Sequence, residues 1–402
     1  MNCNAGDLRN LKIAYIGYGG LDEFSGMTAG LKNMLSVFSR LDSKISLISY
    51  AFYSDHFGIE HRKVDEVAEA TTIHMPAKLP NVVKAFSVLP AFIYAWRPAK
   101  SHDLIFADLS TILTAFPAVI LAKIFGKPVI LDYVDEEFKK IPDLAYKYVI
   151  QNADLTFAIS HYLMDKAKRY GCKSVVYLPA FVDTDLFNMD LEARAEVRRD
   201  LGIEHSIVIG YAGSFSPEEG LTTLLQAVKR LLNNHRDVQL IIIGGKKRPE
   251  EDDIPKVARD LNIENKVTVV PPQPHKEVPK LLSACDVLCC PKIDCPVNRA
   301  ANPVKVVEYL SMGLPTVCSA VGGATYTIED GIDGLLVKPG DVKDLEEKLE
   351  WIILNLERAR GMGENGRRKA MARYSIDAIE GRIRQPLTRV MNEKTRASKT
   401  LI

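Results

Sequence analysis

The chain has 402 residues, of which 47% are hydrophobic and 26% charged, which is more apolar material than one ordinary domain uses. Its 52 basic and 51 acidic residues leave a net charge of +1, so no overall field favours binding to nucleic acid. Seven cysteines are an odd number in a long chain, which argues against a disulfide framework and favours a reducing cytoplasm.

The chain begins with a polar stretch and contains no long apolar segment. Residues 1–11 carry no signal-like run before the first expected strand. No segment reaches the roughly 18 uninterrupted apolar residues of a membrane span. We therefore expect a cytoplasmic protein, either soluble or peripheral on the inner face of the membrane.

Short apolar runs alternate with amphipathic stretches of helical length in both halves of the chain, a pattern typical of parallel α/β sheets. It predicts an α/β protein with two doubly wound, Rossmann-like domains facing a cleft, where ligands of such sheets bind. The predicted strands are 12–16, 44–49, 103–107, 128–132, 154–159, 174–178, 207–211, 238–243, 267–270, 286–290, 315–319 and 334–337. The predicted helices include Met27–Arg40, Ser110–Phe125 and His161–Tyr170.

A polar, charged stretch divides the two predicted domains. The first domain is expected at 1–185 and the second at 206–375. Residues 186–205 are interpreted as a linker that carries a short helix. A final helix, 376–402, is expected to pack back on the first domain.

Glycines follow the first predicted strand of each domain. Gly17, Gly19 and Gly20 end the first strand, but they lack the third glycine of the dinucleotide fingerprint, so a plain tight turn explains them equally well. Gly213 and Ser214 follow the opening strand of the second domain. Glycine lets the backbone approach a ligand closely at such a turn.

An aromatic and basic segment lies at 82–100 in the first domain. It contains Trp96 and the cations Lys84, Arg97 and Lys100, a composition that suits contact with a bilayer and a lipid-linked acceptor. A helix packed in the domain core explains the segment equally well, because the segment is apolar on most sides.

Cys285, Cys289, Cys290 and Cys295 cluster in the second half of the chain. They lack paired C-x-x-C spacing and nearby histidines, so we interpret them as core or loop thiols and predict no metal site.

The most specific stretch runs from Asn302 to Val317. Proline at 303 suits the first turn of a helix, and Gly313 ends that helix. Glu308 falls among apolar neighbours, where a carboxylate needs donors. The two hydroxyls of a ribose would supply them, although helix periodicity alone favours a solvated or salt-bridged glutamate.

Several ordered segments resemble the family 4 retaining glycosyltransferases, which have the GT-B fold. The resemblance covers nearly the whole chain. The segment P-x-K-x-x-E-Y-L from Pro303 to Leu310 resembles the donor-site signature of that family. Further matches in the same order are 152–160, 178–187, 321–323 and 328–337.

The resemblance implies a sugar transfer from a nucleotide sugar, in pathways such as polysaccharide biosynthesis. Glu308 would then bind the donor ribose, and the amides of Val304 and Lys305 the diphosphate, with Lys305 adding charge. Gly213 and Ser214 would lie in the donor loop, and Gly19 and Gly20 would close over phosphate and acceptor. Asp135 would be catalytic, near the sugar. The family generally needs no cofactor or metal, because cations and helix N-termini stabilise the leaving group.

Three positions at the expected donor site depart from the family pattern. Ser214 and Glu219 stand where the family usually has an arginine and a lysine that grip the diphosphate, and Ala300 replaces a second glutamate. Further departures are Val134, where many members have histidine, and Ala180-Phe181, where Asn-Gly is common.

A negative Glu219 would repel a diphosphate. Either substitutes such as Lys305, Lys292, Arg299 or Lys246 supply the positive charge, or donor binding is weak.

These observations favour a glycosyltransferase that moves a sugar from a nucleoside diphosphate to a glycan or lipid-linked acceptor. The three departures leave open a second hypothesis, in which a catalytically impaired GT-B protein acts as a binding or regulatory subunit. A sugar-nucleotide epimerase is the third, against which the proline-lysine-glutamate helix argues.

Overall fold

The computed structural model of the chain describes residues 8–20, 26–54, 57–64, 67–76, 88–135, 143–245 and 252–400. The chain separates into two compact units. The first unit comprises residues 1–23, 27–179 and 376–402, and the second comprises 24–26 and 180–375. The first unit is therefore built from stretches that lie far apart in the sequence, whereas nearly all of the second is continuous.

The described strands of the first unit form one sheet in the order β3-β4-β2-β1-β5-β6-β7-β8. The strands are β1 Lys12–Tyr18, β2 Lys44–Ser54, β3 Gly58–Val64, β4 Val67–Pro76, β5 Leu104–Asp108, β6 Val129–Tyr133, β7 Leu155–Ala158 and β8 Val175–Tyr177. Neighbouring strands run parallel, except that β3 pairs antiparallel with β4. The central strands β5 and β6 are buried along their whole length, as expected for strands covered on both faces.

The described strands of the second unit form a parallel sheet in the order β11-β10-β9-β12-β13-β14. They are β9 Ile207–Ala212, β10 Val238–Ile243, β11 Val267–Val270, β12 Val287–Cys290, β13 Thr316–Ser319 and β14 Leu335–Val337. Strand β9 lies between β10 and β12. The strands that follow β9 are added first towards one edge of the sheet, as β10 and β11, and then towards the other edge, as β12, β13 and β14. Such a switch point is where parallel sheets bind ligands, at the carboxyl ends of the strands.

The helices connect these strands. They are α1 Gly26–Arg40, α2 Val88–Ser101, α3 Ile112–Phe125, α4 Asp143–Asn152, α5 His161–Arg169, α6 Leu191–Asp200, α7 Leu221–Leu231, α8 Ile254–Asp260, α9 Val278–Ser283, α10 Pro296–Ala300, α11 Val304–Met312, α12 Ala324–Thr327, α13 Val342–Leu354, α14 Leu356–Arg373 and α15 Ile376–Thr400. Capping defines several of them. The hydroxyl of Thr111 accepts from the Leu113 amide at the start of α3, and Gly126 ends that helix with a φ of 65°.

The last helix, α15, belongs to the first unit. Its buried residues Ile379, Ile383 and Leu387 recur every four positions and so share one face of the helix. Asp377 pairs with Arg40 of α1, and Lys394 lies 3.6 Å from Asp154.

All twelve predicted strands are confirmed, with bounds that differ by a few residues. The hairpin of β3 and β4 was not predicted from the sequence. Helix α6 lies within residues 186–205, which the sequence indicates as a linker, and the structure places this stretch in the second unit. There Arg194 and Arg198 both pair with Asp286 at 2.5 Å, so the helix is fixed to the loop before β12.

Candidate functional site

The candidate site of the second unit lies at the carboxyl ends of β9 and β12, where α11 also begins. Gly213 follows β9 directly. A Cβ atom at this position would collide with Nζ of Lys305 and would lie 2.7 Å from the Tyr211 hydroxyl. Glycine is favoured here by the φ of 154° and by the space that the Lys305 and Tyr211 side chains occupy.

A buried carboxylate lies between two lysines at this edge. One oxygen of Glu219 is 2.8 Å from Nζ of Lys292, and the other is 2.8 Å from Nζ of Lys305. We call these three residues the Glu219 cluster. All three side chains are largely buried, with exposed fractions of 10%, 11% and 13% respectively. The cluster carries two positive charges and one negative, a net charge of +1.

The lysines have further partners that hold them in place. Lys292 donates to Oδ1 of Asn298 at 3.0 Å. Lys305 donates to the Tyr211 hydroxyl at 2.9 Å, and its ammonium lies 4.4 Å from the centre of the Tyr211 ring. Hydrogen bonds and a cation–π contact thus offset part of the cost of burying these charges.

The cluster fixes the ionisation state of Glu219. Burial raises the pKa of Glu219, but the ammonium groups of Lys305 and Lys292 outweigh that effect and hold the pKa at about 2. For Lys305, burial lowers the pKa, and the Glu219 carboxylate more than reverses this. Glu219 is therefore an anion and Lys305 a cation at neutral pH.

Local backbone geometry brings Glu219 to the lysines. Pro217–Glu219 form a single turn of 3₁₀ helix, which ends at Gly220 with a φ of 72°. A Cβ atom at Gly220 would collide with the carbonyl oxygen of Pro291, the residue before Lys292. The Ile293 amide donates to the Glu218 carbonyl at 3.1 Å. These contacts hold the two loops edge to edge, and so they place Glu219 opposite Lys292.

Glu308 lies in α11, one turn after Lys305, and is buried. Its Oε1 is 2.7 Å from Nε2 of His275, and the His275 ring lies 4.9 Å from the ring of Phe187. Within the described residues, no hydrogen bond is recorded for Oε2. The structure therefore gives Glu308 a protein partner at one oxygen, and no described residue hydrogen-bonds the other.

The first turn of α11 and the loop after β9 hold the other predicted donor residues. Val304 is the first residue of α11, and Pro303, the residue before it, makes no side-chain cap. The amides of Val304 and Lys305 therefore belong to an uncapped helix N-terminus, which favours anions. Ser214 accepts a hydrogen bond at its carbonyl from the Tyr211 hydroxyl at 2.7 Å, and its own hydroxyl is 3.3 Å from that of Ser216.

The glycine loop of the first unit ends β1. Gly19 has a φ of 108°, a backbone conformation that favours glycine. Its amide donates to the Tyr50 carbonyl at 2.8 Å. The Gly20 carbonyl accepts from the Thr28 hydroxyl at 3.2 Å. The Tyr18 amide, in the same turn, donates to Oδ2 of Asp108 at 2.9 Å. In the turn that is predicted to close over phosphate, the Tyr18 amide is therefore already hydrogen-bonded to the Asp108 carboxylate.

Two buried aspartates lie side by side at the carboxyl ends of β5 and β6. Asp108 and Asp132 are direct neighbours in the register of these strands. Asp108 also accepts from the Tyr15 hydroxyl at 2.6 Å. Burial raises the pKa of Asp108 to about 6, against the effect of its two hydrogen bonds.

The carboxyl group of Asp132 is also hard to ionise. Burial and the neighbouring Asp108 both raise its pKa well above the usual value, so its neutral form is favoured. The sequence reading did not single out either aspartate. The signal that would have found them is an aspartate at the end of each of two consecutive buried strands.

Asp135 lies two residues after β6, in the first unit, and is partly buried. It follows Asp132 by three positions in the sequence.

Lys84 and the rest of 82–87 lie outside the described residues. Ala300 is fully buried at the end of α10.

The cysteines of the second unit are free thiols. Cys285, Cys289 and Cys290 are buried and Cys295 is partly buried. Among the residues that the structure describes, no group of three or more His, Cys, Asp or Glu side chains is arranged to hold a metal ion.

Helix α2 presents apolar side chains to solvent. Leu89, Ile93 and Trp96 recur at intervals of four and three and are each about half exposed or more, so they share one face of the helix. Arg97 and Lys100 follow on the same helix. No helix in the described part of the chain combines the length and hydrophobicity needed to cross a bilayer.

Comparison with known proteins adds to this geometry. Residues 193–369 match the family model described as "Glycosyl transferases group 1". Alpha-D-kanosaminyltransferase of Streptomyces kanamyceticus is 25% identical over 66% of this chain and 71% of its own length. A GDP-mannose-dependent alpha-(1-6)-phosphatidylinositol monomannoside mannosyltransferase of Mycolicibacterium smegmatis is 28% identical over 56% of this chain and 60% of its own length.

Solved structures resemble the chain over almost its whole length. The Anabaena protein HepE, in complex with UDP and glucose, aligns with a TM-score of 0.73 and 19% identity, covering 94% of this chain and 99% of that one. At this identity the likeness shows the fold, which is GT-B.

Proposed function

We propose that this chain, a glycosyltransferase with the GT-B fold, moves a sugar from a nucleoside-diphosphate donor to a glycan or lipid-linked acceptor. We further propose that the reaction retains the anomeric configuration and needs neither a metal nor a cofactor. The family match and the names of the relatives support sugar transfer. The HepE structure holds UDP and glucose, and the Mycolicibacterium relative is named for a phosphatidylinositol acceptor.

One observation carries the assignment of the donor site: Lys305 and Glu308 lie one turn apart on α11 and so share a face of the helix. Glu308 has one oxygen without a recorded hydrogen bond within the described residues, which suits a ribose hydroxyl. The uncapped amides of Val304 and Lys305 lie at the helix start, where a diphosphate is stabilised. A nucleoside diphosphate therefore fits with its ribose at Glu308 and its phosphates at the helix start.

The same arrangement supports the departure of the nucleoside diphosphate. Charge that develops on the leaving phosphate is met by the N-terminus of α11 and by the net positive Glu219 cluster. In the retaining reaction, the acceptor hydroxyl attacks the face of the sugar from which the phosphate leaves. Gly213 and Ser214 would line the donor loop, Gly19 and Gly20 the acceptor side, and Asp135 would lie near the sugar as the catalytic residue.

The function is tested by mixing the protein with a panel of UDP, GDP, ADP and TDP sugars and following both thermal shift and release of nucleoside diphosphate. We expect one donor class to raise the melting temperature and to be consumed with an acceptor. Glu308→Ala should weaken donor binding at least tenfold, because the ribose loses a charged hydrogen-bond partner. Glu364→Ala removes an exposed glutamate from α14 and is the matched control.

Each outcome separates the candidate functions. A donor that binds but is never consumed would favour the regulatory or binding subunit, a hypothesis motivated by Ser214, Glu219 and Ala300. If no nucleotide sugar shifts the melting temperature of the wild-type protein, the proposed donor site is wrong.

The exposed face of α2 supports a peripheral location on the inner face of the membrane. Leu89, Ile93 and Trp96 offer an apolar surface, and Arg97 and Lys100 can meet anionic headgroups. Such a location would bring the first unit to a lipid-linked acceptor.

Cosedimentation with vesicles containing phosphatidylglycerol tests this location. We expect the wild-type protein to sediment with them and the double variant Ile93→Ser and Trp96→Ser to lose at least tenfold in binding. Leu354→Ser, which changes a similarly exposed leucine of α13, should bind like the wild type. A wild-type protein that stays in the supernatant would contradict the membrane location.

A further inference from the structure

We propose that Glu219 is an internal counter-anion that competes with the phosphates of the donor for Lys292 and Lys305, and that it thereby sets the affinity and charge selectivity of the diphosphate subsite. The inference rests on the proposed function, because it takes the phosphates of the donor to approach Lys305 at the start of α11.

The first step of the argument is the geometry of the charges. Each oxygen of Glu219 faces one ammonium group at 2.8 Å, so both lysines are directed at the carboxylate. Within the described residues, these two lysines are the cations that form ion pairs with Glu219. The cluster therefore presents one net positive charge to an incoming anion, where two unpaired lysines would present two.

The second step is position. Lys305 lies in the first turn of α11, beside Gly213 and the Tyr211 hydroxyl. This is the end of the helix where an anion is stabilised by free amides. An anion bound there feels the attraction of Lys305 and the repulsion of Glu219 at similar distances, because the two side chains touch.

The third step is that Glu219 cannot relieve the repulsion by binding a proton. Its pKa is held at about 2, so it remains an anion across the physiological range. The backbone of Glu219 is also restricted in its movement. Glu219 is the last residue of the 3₁₀ turn, and the next residue, Gly220, packs against the Pro291 carbonyl. The competing charge is thus a fixed part of the subsite.

The charge of the ligand then decides the size of the effect. Coulombic repulsion scales with ligand charge, so Glu219 disfavours inorganic pyrophosphate more strongly than inorganic phosphate. A purely structural ion pair would affect both anions through folding alone and would not separate them. The ratio of the two affinities is therefore the readout that identifies the role.

The test measures pyrophosphate and phosphate binding by calorimetry for the wild type, Glu219→Gln and Glu218→Gln. Glutamine keeps the size of the side chain and removes its charge. Glu218 is the adjacent, less buried residue, without a recorded side-chain ion pair, and its variant loses the same charge. We expect Glu219→Gln to bind pyrophosphate about tenfold more tightly and phosphate about threefold more tightly, with a steeper dependence on salt. Glu218→Gln should match the wild type.

Equal or weaker pyrophosphate binding by a folded Glu219→Gln protein would overturn the inference, as would an equal gain for the two anions. So would a lack of pyrophosphate binding by this variant. Because Glu219→Gln leaves two buried ammonium groups without a counter-ion, a second variant guards against misfolding. Lys292→Gln lowers the net charge of the cluster to zero and should weaken pyrophosphate binding about tenfold, and unchanged binding by this variant would also overturn the inference.

These outcomes differ from those that test the proposed function. If the variants change pyrophosphate affinity as expected but no nucleotide sugar is bound or consumed by the wild type, Glu219 still competes with anions for the two lysines, but the proposed function fails and with it the role towards a donor. If a nucleotide sugar is consumed and Glu219→Gln binds pyrophosphate no better, the function stands and Glu219 is only structural.

Discussion

Each of the two units buries a carboxylate at the carboxyl edge of its parallel sheet, but with opposite consequences for charge. In the first unit Asp108 accepts from a tyrosine hydroxyl and a backbone amide, and burial raises its pKa to about 6. In the second unit Glu219 faces two ammonium groups, and its pKa falls to about 2. The two residues are almost equally buried, since 6% of the whole Asp108 residue and 8% of the whole Glu219 residue are exposed.

The difference shows that partner type, and not burial, decides whether a buried carboxylate stays charged. Neutral donors stabilise a carboxylate by a modest amount and leave most of the desolvation cost in place. Two cations more than offset that cost. The first unit thus holds a carboxyl group, that of Asp108, which exchanges its proton near pH 6, whereas the second unit holds an anion that persists down to a pH of about 2.

The largest expected effect breaks the geometry of the second unit. Gly220→Ala places a Cβ atom against the Pro291 carbonyl at a φ of 72°, which should lower the free energy of unfolding by about 4 kcal/mol through strain and displacement of Glu219. Urea denaturation measures this loss. Gly331→Ala is the control, because its φ is 78° but nothing lies within 4 Å of its added Cβ. It should cost only about 1 kcal/mol, and an equal loss in both variants would show that the contact with Pro291 is unimportant.

The second prediction removes the charge of Glu219. Its folded pKa of about 2 lies below the usual glutamate value of 4.5, so its ionisation stabilises the fold above pH 4.5, and this stability is lost as the pH falls towards 2. The shift corresponds to about 3 kcal/mol, which Glu219→Gln should lose at pH 7. Urea denaturation from pH 7 to pH 3 should show a weaker acid dependence for the variant than for the wild type. An unchanged stability at pH 7 would mean that the lysines do not need this counter-ion.

The third prediction has the opposite sign in the first unit. The pKa of Asp108 is raised from 3.8 to about 6, so the protonated form stabilises the fold, and this stability is lost as the pH rises from about 4 to about 6. Asp108→Asn should flatten the decline in this window and change the stability at pH 7 by about 1 to 2 kcal/mol, since the lost ionisation cost is partly offset by a weaker hydrogen bond. Asp165→Asn, at an exposed position of α5, should keep the wild-type slope.

The smallest expected effect concerns Asp132. Burial and the neighbouring Asp108 raise its pKa well above the usual value and so favour the neutral form, which asparagine matches in size and charge. Asp132→Asn should therefore change the free energy of unfolding at pH 7 by less than about 1 kcal/mol. A change of several kcal/mol in either direction would contradict this prediction. Urea denaturation of both aspartate variants at one pH makes the comparison direct.

The fold was largely predictable because each parallel strand is a short run of apolar residues, and turn-forming residues separate one run from the next. Strands such as β10, with the sequence VQLIII, are distinctive in the sequence. The exception is β3, with the sequence GIEHRKV. Its polar residues Glu60, His61 and Arg62 lie on an antiparallel strand at one edge of the sheet, where burial does not impose an apolar pattern.

The sequence predicted which residues belong to the site, but it did not predict which of their side chains form ion pairs with one another. The sequence indicated that Glu219 would repel a phosphate and that Lys292 and Lys305 were substitute cations. It did not indicate that both lysines are bound to Glu219, because these contacts join residues 73 and 86 positions apart. The neighbouring positions of Asp108 and Asp132 likewise depend on the register between β5 and β6, which local sequence does not encode.

Helix α15 carries a consequence for how the protein is made. The residues of the second unit end at 375, before the helix that completes the first unit. During synthesis the second unit is thus able to fold while the first still lacks the surface that Ile379, Ile383 and Leu387 bury. The unit whose strands are made first is therefore completed after the second unit, once α15 has been synthesised.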